Sequence, residues 1–478
     1  MTEVYDVAII GTGTAGLSAL REVRKRTENF AIINDGPYGT TCARVGCMPS
    51  KLLIESANHF QQRKILGTFG IEGSEHLRID VPAVLRRVRH MRDEFVAGIV
   101  DITAGLGDRN IAGRARFLAP DELAVGGRRI RARHIVIATG SRPILPLEWR
   151  RIGGARSTGN QRIFTSDDLF EQADFPARMA VIGLGAIGVE LAQSLTRLGV
   201  TVNAFGAGQR VGGLVDPIVS DQALAILRRE FDIELGPRAT VREENHELHV
   251  STGTRDIVVD AVVAALGRQP NIDNLGLENL GVPLDAQGMP QINATSMRIA
   301  DLPVYFAGDV TNELAVLHVA NDEGHIAGYN AMLAQPQCFR LRVPLTIVFS
   351  DPNIAMVGAR LTDLNVAELA IGEIDFSNQG RARMAGENRG VLRVYADKRN
   401  GLLLGAEMCA PRAEHMAQLL ALAIEQRATI HSLLRMPFYH PVFEEGLRTA
   451  LRNASTQLEI KVESDLASCD PVGAIALD

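Results

Sequence analysis

Two glycine signatures fix most of what this chain can fold into. The first is Gly11-Thr-Gly13-Thr-Ala-Gly16, entered from an apolar strand pattern at residues 4–10. A helical pattern at 17–26 and a second strand pattern at 30–34 follow it. The second signature is Gly183-Leu-Gly185-Ala-Ile-Gly188, entered from Met179-Ala-Val-Ile. A helical pattern at 189–198 and a strand pattern at 201–205 follow in turn. Its three glycines keep one constant offset from the first three, so the chain carries an internal repeat. Strand, glycine turn and helix in succession make G-x-G-x-x-G a dinucleotide-binding fingerprint. The first glycine makes the turn, the second admits a pyrophosphate against the backbone, and the third lets helix and strand pack closely. The phosphates sit on the helix N-terminus. With 478 residues, a length that suits roughly three domains of about 150, the chain reads as α/β with two Rossmann-like dinucleotide-binding domains.

Both fingerprints depart from the usual pattern in one place. At the end of the second strand an acidic residue normally accepts from the adenosine ribose hydroxyls. The first repeat has Asn34 there, with Asp35 beside it, and the second has Gly206. Asn34 still offers a hydrogen bond to a ribose hydroxyl. Gly206 offers no side chain at all. Its absence removes repulsion against a 2′-phosphate, and Arg210 reads either as a partner for that phosphate or as a plain surface residue.

Between the repeats lies Gly39-Thr-Thr-Cys42-Ala-Arg-Val-Gly-Cys47-Met-Pro-Ser-Lys51. Pro49 suits a first helical turn, which puts Cys47 at a helix N-terminus, where the macrodipole favours a thiolate. Spacing alone does not join two cysteines in one role. Five cysteines in this length do, however, exclude a secreted disulfide scaffold, so a Cys42–Cys47 bridge would be catalytic rather than structural. Two dinucleotide sites and a cysteine pair are the natural parts for passing electrons between cofactors and on to a disulfide.

Further along, His134-Ile-Val-Ile-Ala-Thr139-Gly140 is a strand pattern closing on a glycine turn, and short strands with glycine punctuation fill 111–130. Residues 58–107 read as mainly helical. Val262-Val-Ala-Ala-Leu-Gly267 returns from the second cofactor domain. Val304-Tyr-Phe-Ala-Gly-Asp309 ends a strand before a helical run at 315–333, and Asp309 reads as a flavin contact or as a helix cap. Beyond Pro336, strand and turn signals over 343–404 and helical patterns near 362 and at 413–425 suggest an α+β domain. Met436-Pro-Phe-Tyr-His440-Pro441 then precedes Glu444 and Glu445. Pro441 can start a helix, and a carboxylate in its first turns would fix the His440 tautomer and raise its basicity. Alone, His440 reads as readily as structural, and either glutamate fits the partner role.

A net charge of −6 gives no footprint for nucleic acid or an anionic membrane. The start of the sequence carries no basic and apolar leader pattern, and no apolar run reaches the ~18–20 residues of a membrane span. The expected compartment is the cytoplasm, and no residues are assigned to a metal.

Together these residues resemble the flavin-dependent pyridine nucleotide–disulfide oxidoreductases, and within them most closely the dihydrolipoyl dehydrogenases. The resemblance covers residues 4–453 and rests on the Cys42–Cys47 segment through Lys51, both glycine turns, Ala138-Thr-Gly, Ala307-Gly-Asp309 and His440-Pro with Glu445, in that order. It implies FAD at the first turn, with Asp309 and Lys51 near it, and NAD at the second, NADP remaining open. It makes Cys42 the interchange thiol and Cys47 the thiol against the flavin, and it pairs Lys51 with Glu190. It implies a homodimer whose C-terminal domain forms the interface, so that His440 and Glu445 complete the other subunit's site. The domain bounds expected are 1–145 and 272–341 for the FAD-binding and central parts, 146–271 for the NAD(P)-binding domain and 342–453 for dimerisation. The tail at 454–478, with Cys469, is expected to be disordered. The implied substrate is a lipoyl-bearing protein of a 2-oxo acid dehydrogenase or glycine cleavage complex.

Other branches fit less well. Mercuric reductases need adjacent C-terminal cysteines, and this tail has only Cys469. Soluble transhydrogenases lack one cysteine of the pair. A glutathione-type reductase driven by NADPH stays open through Gly206. So does a flavin-binding sensor without turnover, on the strength of Asn34 and Gly206.

Overall fold

The structure, a computed structural model, describes residues 3–152, 161–461, 464 and 466. The chain divides into two compact units. The tail expected to be disordered from residue 454 starts ordered, because the helix Glu445–Ser455 runs into it and Leu458 is buried in the C-terminal core; the expectation for 467–478 and any role of Cys469 lie outside the described residues.

The first unit comprises residues 1–53, 80–175 and 263–342. Its centre is the strand Glu3–Ile10, parallel on one side to Phe30–Asn34 and on the other to Arg128–Ile137. Val304–Phe306 adds to Arg128–Ile137 in parallel, and Asn110–Ala112 adds beyond Phe30–Asn34. Val7, Ala8, Ile9, Ala31, Ile32 and Ile33 are all fully buried, as continuous apolar runs must be in a sheet covered on both faces. The strands expected over 111–130 form a hairpin, Ala115–Ala119 with Glu122–Val125, paired to the edge of Arg128–Ile137. Helices Thr14–Val23 and Leu317–Asn330 meet at backbone distance. A Cβ on Gly324 would lie 2.2 Å from the Ala15 carbonyl oxygen, and one on Gly328 would lie 2.4 Å from that of Ala19.

The second unit comprises residues 54–79, 176–262 and 343–478. It repeats the parallel arrangement in Arg178–Ile182, Thr201–Gly206 and Asp232–Leu235. It also holds a five-stranded antiparallel sheet, Leu345–Val348, Asn353–Gly358, Leu403–Ala410, Val391–Asp397 and Leu369–Asp375 in spatial order. Helices Ala413–Glu425 and Glu445–Ser455 cover this sheet. The fold is therefore the expected mixed α/β architecture with a C-terminal antiparallel-sheet domain.

Several elements differ from the sequence pattern. The helices after the two glycine turns start at Thr14 and Ala186, ahead of residues 17 and 189, because the second glycine of each turn is itself the N-cap. The helical expectation for 58–107 breaks between Gln61 and Val81, where Gly70 and Gly73 take left-handed φ of +76° and +82°. Near residue 362 there are only two single turns, Leu361–Asp363 and Val366–Glu368. Pro441 starts no helix: the chain turns so that Phe443 enters the core, and the helix opens at Glu445. No helix among the described residues is long and apolar enough to cross a membrane.

Candidate functional site

The thiols are placed by two helix starts in series. Thr40 accepts from the Ala43 amide (3.1 Å) and caps the short helix Thr41–Arg44, which carries Cys42. Cys47 opens the helix Cys47–Gln61, with Pro49 in its first turn, where a missing N–H costs nothing. Gly46 makes the fold-back possible. A Cβ there would come within 3.0 Å of the Thr41 carbonyl oxygen and 3.2 Å of the Cys42 Cα. Cys42 is half-buried and Cys47 exposed, and the two are thiols, not joined by a disulfide. The hydrogen bond with Cys47, and then burial, push the Cys42 thiol well above its ordinary range, while the Lys51 ammonium pulls the other way. Lys51 Nζ also lies 3.4 Å from Ser50 Oγ.

The first glycine turn is a cradle with one open face. Gly11 sits at φ +114°, and a Cβ there would be 2.2 Å from the Ala138 carbonyl oxygen. One on Gly16 would be 2.0 Å from the Gly11 carbonyl oxygen. One on Gly13 would meet nothing within 4 Å, and no side chain caps the helix it precedes. An anionic diphosphate fits such an N-terminus. Thr139 adds a buried hydroxyl that has no hydrogen-bond partner among the described residues, beside Gly140 at φ +68°. Asn271 fixes that turn, its Nδ2 donating to the Thr139 carbonyl (2.9 Å) and its amide to that of Gly140 (2.9 Å).

At the end of the second strand, Asn34 Nδ2 donates to the Gly36 carbonyl (2.7 Å), and Asp35 pairs with Arg114 (2.8 Å). Asp309 does not cap the long helix that follows, whose N-cap is Val316. Its Oδ2 accepts instead from Ser141 Oγ (2.7 Å), which in turn accepts from Arg268 Nε (2.8 Å). Behind it, buried Glu323 accepts from the Gly308 amide (2.7 Å), and burial pushes its carboxyl up to about 7. Gly267 stands at φ +98°, its carbonyl accepting from the Ile144 amide (3.0 Å). Ser141, Arg268, Glu323 and Gly46 carry no role in the sequence reading. Only Arg268, directly after the Gly267 turn, left a signal that could have been followed.

The second turn repeats the first. Gly183 stands at φ +101°, and its amide donates to the Phe205 carbonyl (2.8 Å). Gly185 faces open space and Gly188 is buried in the first helical turn. Glu190 is buried on the same helix, and its Oε1 accepts from the Phe349 amide (2.8 Å).

In the C-terminal region, His440 Nδ1 lies 3.1 Å from each carboxylate oxygen of Glu445. The carboxylate at the imidazole is thus that of Glu445 rather than Glu444. The Val442 amide holds Glu445 Oε2 as well (3.3 Å). The hydrogen bond with His440, above all, keeps the Glu445 carboxyl below its usual range. A carboxylate on Nδ1 makes that nitrogen the donor and leaves the lone pair on Nε2. The His440 side chain is 77% exposed, so this lone pair is accessible to a proton donor.

These parts can do dithiol–disulfide chemistry, accept a proton and seat two dinucleotides. Family comparison agrees. The pyridine nucleotide-disulphide oxidoreductase family matches residues 5–324, and the dimerisation domain of that family matches residues 344–451. The chain is 30% identical over 475 residues to a dihydrolipoyl dehydrogenase of Haloferax volcanii, covering 95% of this chain and 96% of that one. It is 31% identical over 469 residues to that of Thermus scotoductus, covering 94% and 97%. Among solved structures, the HOCl-induced flavoprotein disulfide reductase RclA of Escherichia coli superposes with a TM-score of 0.80 at 23% identity, over 95% and 99% of the two chains. LpdA of Mycobacterium tuberculosis gives 0.79 at 23%, over the same shares. At that identity the two structures speak for the fold alone. With glycine cradles, thiol pair and dimerisation domain in one chain, this protein belongs to the pyridine nucleotide-disulphide oxidoreductases, enzymes that bind FAD and a pyridine nucleotide.

Proposed function

We propose that the chain oxidises protein-bound dihydrolipoamide to lipoamide and passes the electrons to NAD. The observation that carries this reading is the His440–Glu445 pair, a proton acceptor whose Nε2 is accessible. It is what a thiol substrate needs before it can attack, since only the thiolate is nucleophilic. Relatives that are dihydrolipoyl dehydrogenases along nearly their whole length support it. In the proposed homodimer, His440 and Glu445 serve the thiol pair of the other subunit.

In this reading His440 Nε2 takes the proton of one dihydrolipoyl thiol. The thiolate attacks Cys42 Sγ of the oxidised pair, the Cys42–Cys47 bond breaks, and Cys47 leaves as a thiolate. The second substrate thiol then displaces Cys42, which leaves with that thiol's proton, closing lipoamide and leaving both electrons on the cysteines, with the first proton on His440. FAD, when bound, would supply the two-electron relay between the cysteine pair and the nicotinamide. Gly11, Gly13, Gly16, Thr139, Gly140 and Asp309 would hold it, with Lys51 close to its reactive end and Asn34 at its ribose. Gly183, Gly185, Gly188, Glu190 and Gly267 would border the nicotinamide dinucleotide.

The test is dihydrolipoamide-dependent reduction of NAD by FAD-loaded enzyme. Turnover abolished in His440→Ala is the expected result. No turnover with dihydrolipoamide, together with reduction of another disulfide by NADPH, would overturn it in favour of a reductase. Gly206, which leaves the ribose position without an acid, is the observation favouring that second reading.

A further inference from the structure

We propose that the second dinucleotide site accepts a 2′-phosphorylated nicotinamide dinucleotide at least as well as the unphosphorylated one, reading the phosphate with Arg210 and Arg238. This rests on the reading of the Gly183 turn as the nicotinamide nucleotide site. Discrimination there is a matter of charge at the end of the second strand. A carboxylate accepts from the ribose hydroxyls and repels a 2′-phosphate, whereas an arginine accommodates it.

The strand Thr201–Gly206 ends without a side chain, against the side chains of Leu235 and Leu184. A Cβ on Gly206 would lie 2.7 Å from Leu235 Cδ2 and 3.5 Å from the Leu184 Cβ. The loop from Ala207 to Val215 contains no acid. The first carboxylate after it, Asp216, is fully buried and engaged by Arg393 (2.6 and 2.9 Å) and Tyr395 (2.7 Å). On the neighbouring strand Glu234 pairs in register with Phe205, while Leu235 pairs with Gly206. Alternation along a strand sends Glu234 to the face opposite Leu235, and Thr254 Oγ1 lies 3.2 Å from its Oε1. Among the described residues of these strand ends and the loop between 207 and 215, no carboxylate therefore faces the Gly206 position.

The two loops that flank the Gly206 strand end each carry an exposed arginine. Arg210 is exposed, and among the described residues it donates only to the Val215 carbonyl, a neutral partner. The second cation is visible only in the fold. The Gly236 amide donates to the Gly206 carbonyl (2.8 Å), and a Cβ on Gly236 would be 3.1 Å from Gln209 Nε2. The turn after Asp232–Leu235 is thus brought against the loop after Gly206, and Arg238 lies two residues into it. Arg238 is exposed and makes no hydrogen bond or ion pair with the described residues. Charge-assisted hydrogen bonds from arginine to phosphate are the strong ones.

The experiment is calorimetric titration of the FAD-loaded enzyme with 5′-AMP and with 2′,5′-ADP. These fragments differ only in the 2′-phosphate and undergo no chemistry. The expected result is a Kd for 2′,5′-ADP equal to or below that for 5′-AMP. In the Arg210→Ala/Arg238→Ala double variant, 2′,5′-ADP should weaken about tenfold, the size of one charge-assisted hydrogen bond, with 5′-AMP unchanged. Tighter binding of 5′-AMP than of 2′,5′-ADP overturns the proposal while leaving the nucleotide site itself in place. An unaltered 2′,5′-ADP affinity in the double variant removes the two arginines from it. Binding of neither fragment removes the nucleotide site and the proposal together.

Discussion

His440 Nδ1 stands 3.1 Å from both oxygens of Glu445, and Glu445 opens the helix that covers the C-terminal sheet. The imidazole is therefore oriented by a residue whose backbone is fixed by packing, although the pair itself is open to water. An exposed pair of this kind contributes little to stability, so a change in it reads out in the chemistry. Glu445→Gln keeps the shape and loses the charge. It should lower the kcat for dihydrolipoamide by one to two orders of magnitude, within the range that a positioned base supplies. The melting temperature should stay unchanged. Full activity in this variant would remove Glu445 from the proton path.

The Cys42 thiol is pushed up chiefly by its hydrogen bond with Cys47. Removing that side-chain partner in Cys47→Ala leaves burial against the backbone hydrogen bond of residue 47 and the pull of Lys51. Cys42 should then titrate closer to the ordinary thiol range, and at pH 8 the reduced variant should be alkylated at Cys42 several-fold faster than the reduced parent. Peptide mapping after timed iodoacetamide treatment measures it. Equal rates would show that burial alone sets the reactivity of Cys42.

The three glycines of the first turn make separable predictions. At Gly16 a methyl group would sit 2.0 Å from the Gly11 carbonyl oxygen. Overpacking against backbone has no side chain to yield, so Gly16→Ala should destabilise by about 3 kcal/mol or more. At Gly13 a methyl group meets nothing within 4 Å. Gly13→Ala should fold with nearly the parent's stability and retain less flavin, since it fills the cradle. Flavin absorbance per polypeptide and urea midpoints distinguish the two. A Gly13→Ala protein with full flavin content would contradict the assignment of that face.

Much of the fold was legible because its signals are local. Apolar runs at 4–10 and 30–34 and glycines at turns fix the strand–turn–helix units whatever surrounds them, and the pattern at 413–425 coincides with the helix Ala413–Glu425. What was not legible depends on residues far apart in sequence. The chain Arg268–Ser141–Asp309 and the approach of the Gly236 turn to the Gly206 strand end exist only once strands are in register. Pro441 misled for a similar reason: local preference favoured a helix start, and burial of Phe443 prevailed. Gly46 gave no sign that its backbone packs against those of Thr41 and Cys42, where a Cβ would lie 3.0 Å from the Thr41 carbonyl oxygen.

Glu323 was equally silent, and it carries a pH prediction. It is 2% exposed, and burial raises its carboxyl from an ordinary 4.5 to about 7 against the favourable bonds from Gly308 and Thr311. Between those two values the folded chain holds a proton that the unfolded chain has released. The contribution to stability is therefore fully present below about pH 4.5, falls as pH rises through the window, and is gone above about pH 7. Its size is on the order of 3 kcal/mol. Glu323→Gln keeps an oxygen for the Gly308 amide and cannot titrate. Relative to the parent, the variant should gain stability between pH 5 and pH 8, measured by urea unfolding with both proteins in the same flavin state. A difference between the two proteins that stays constant across that range would mean that Glu323 is ionised in the fold, its charge compensated by the Gly308 amide.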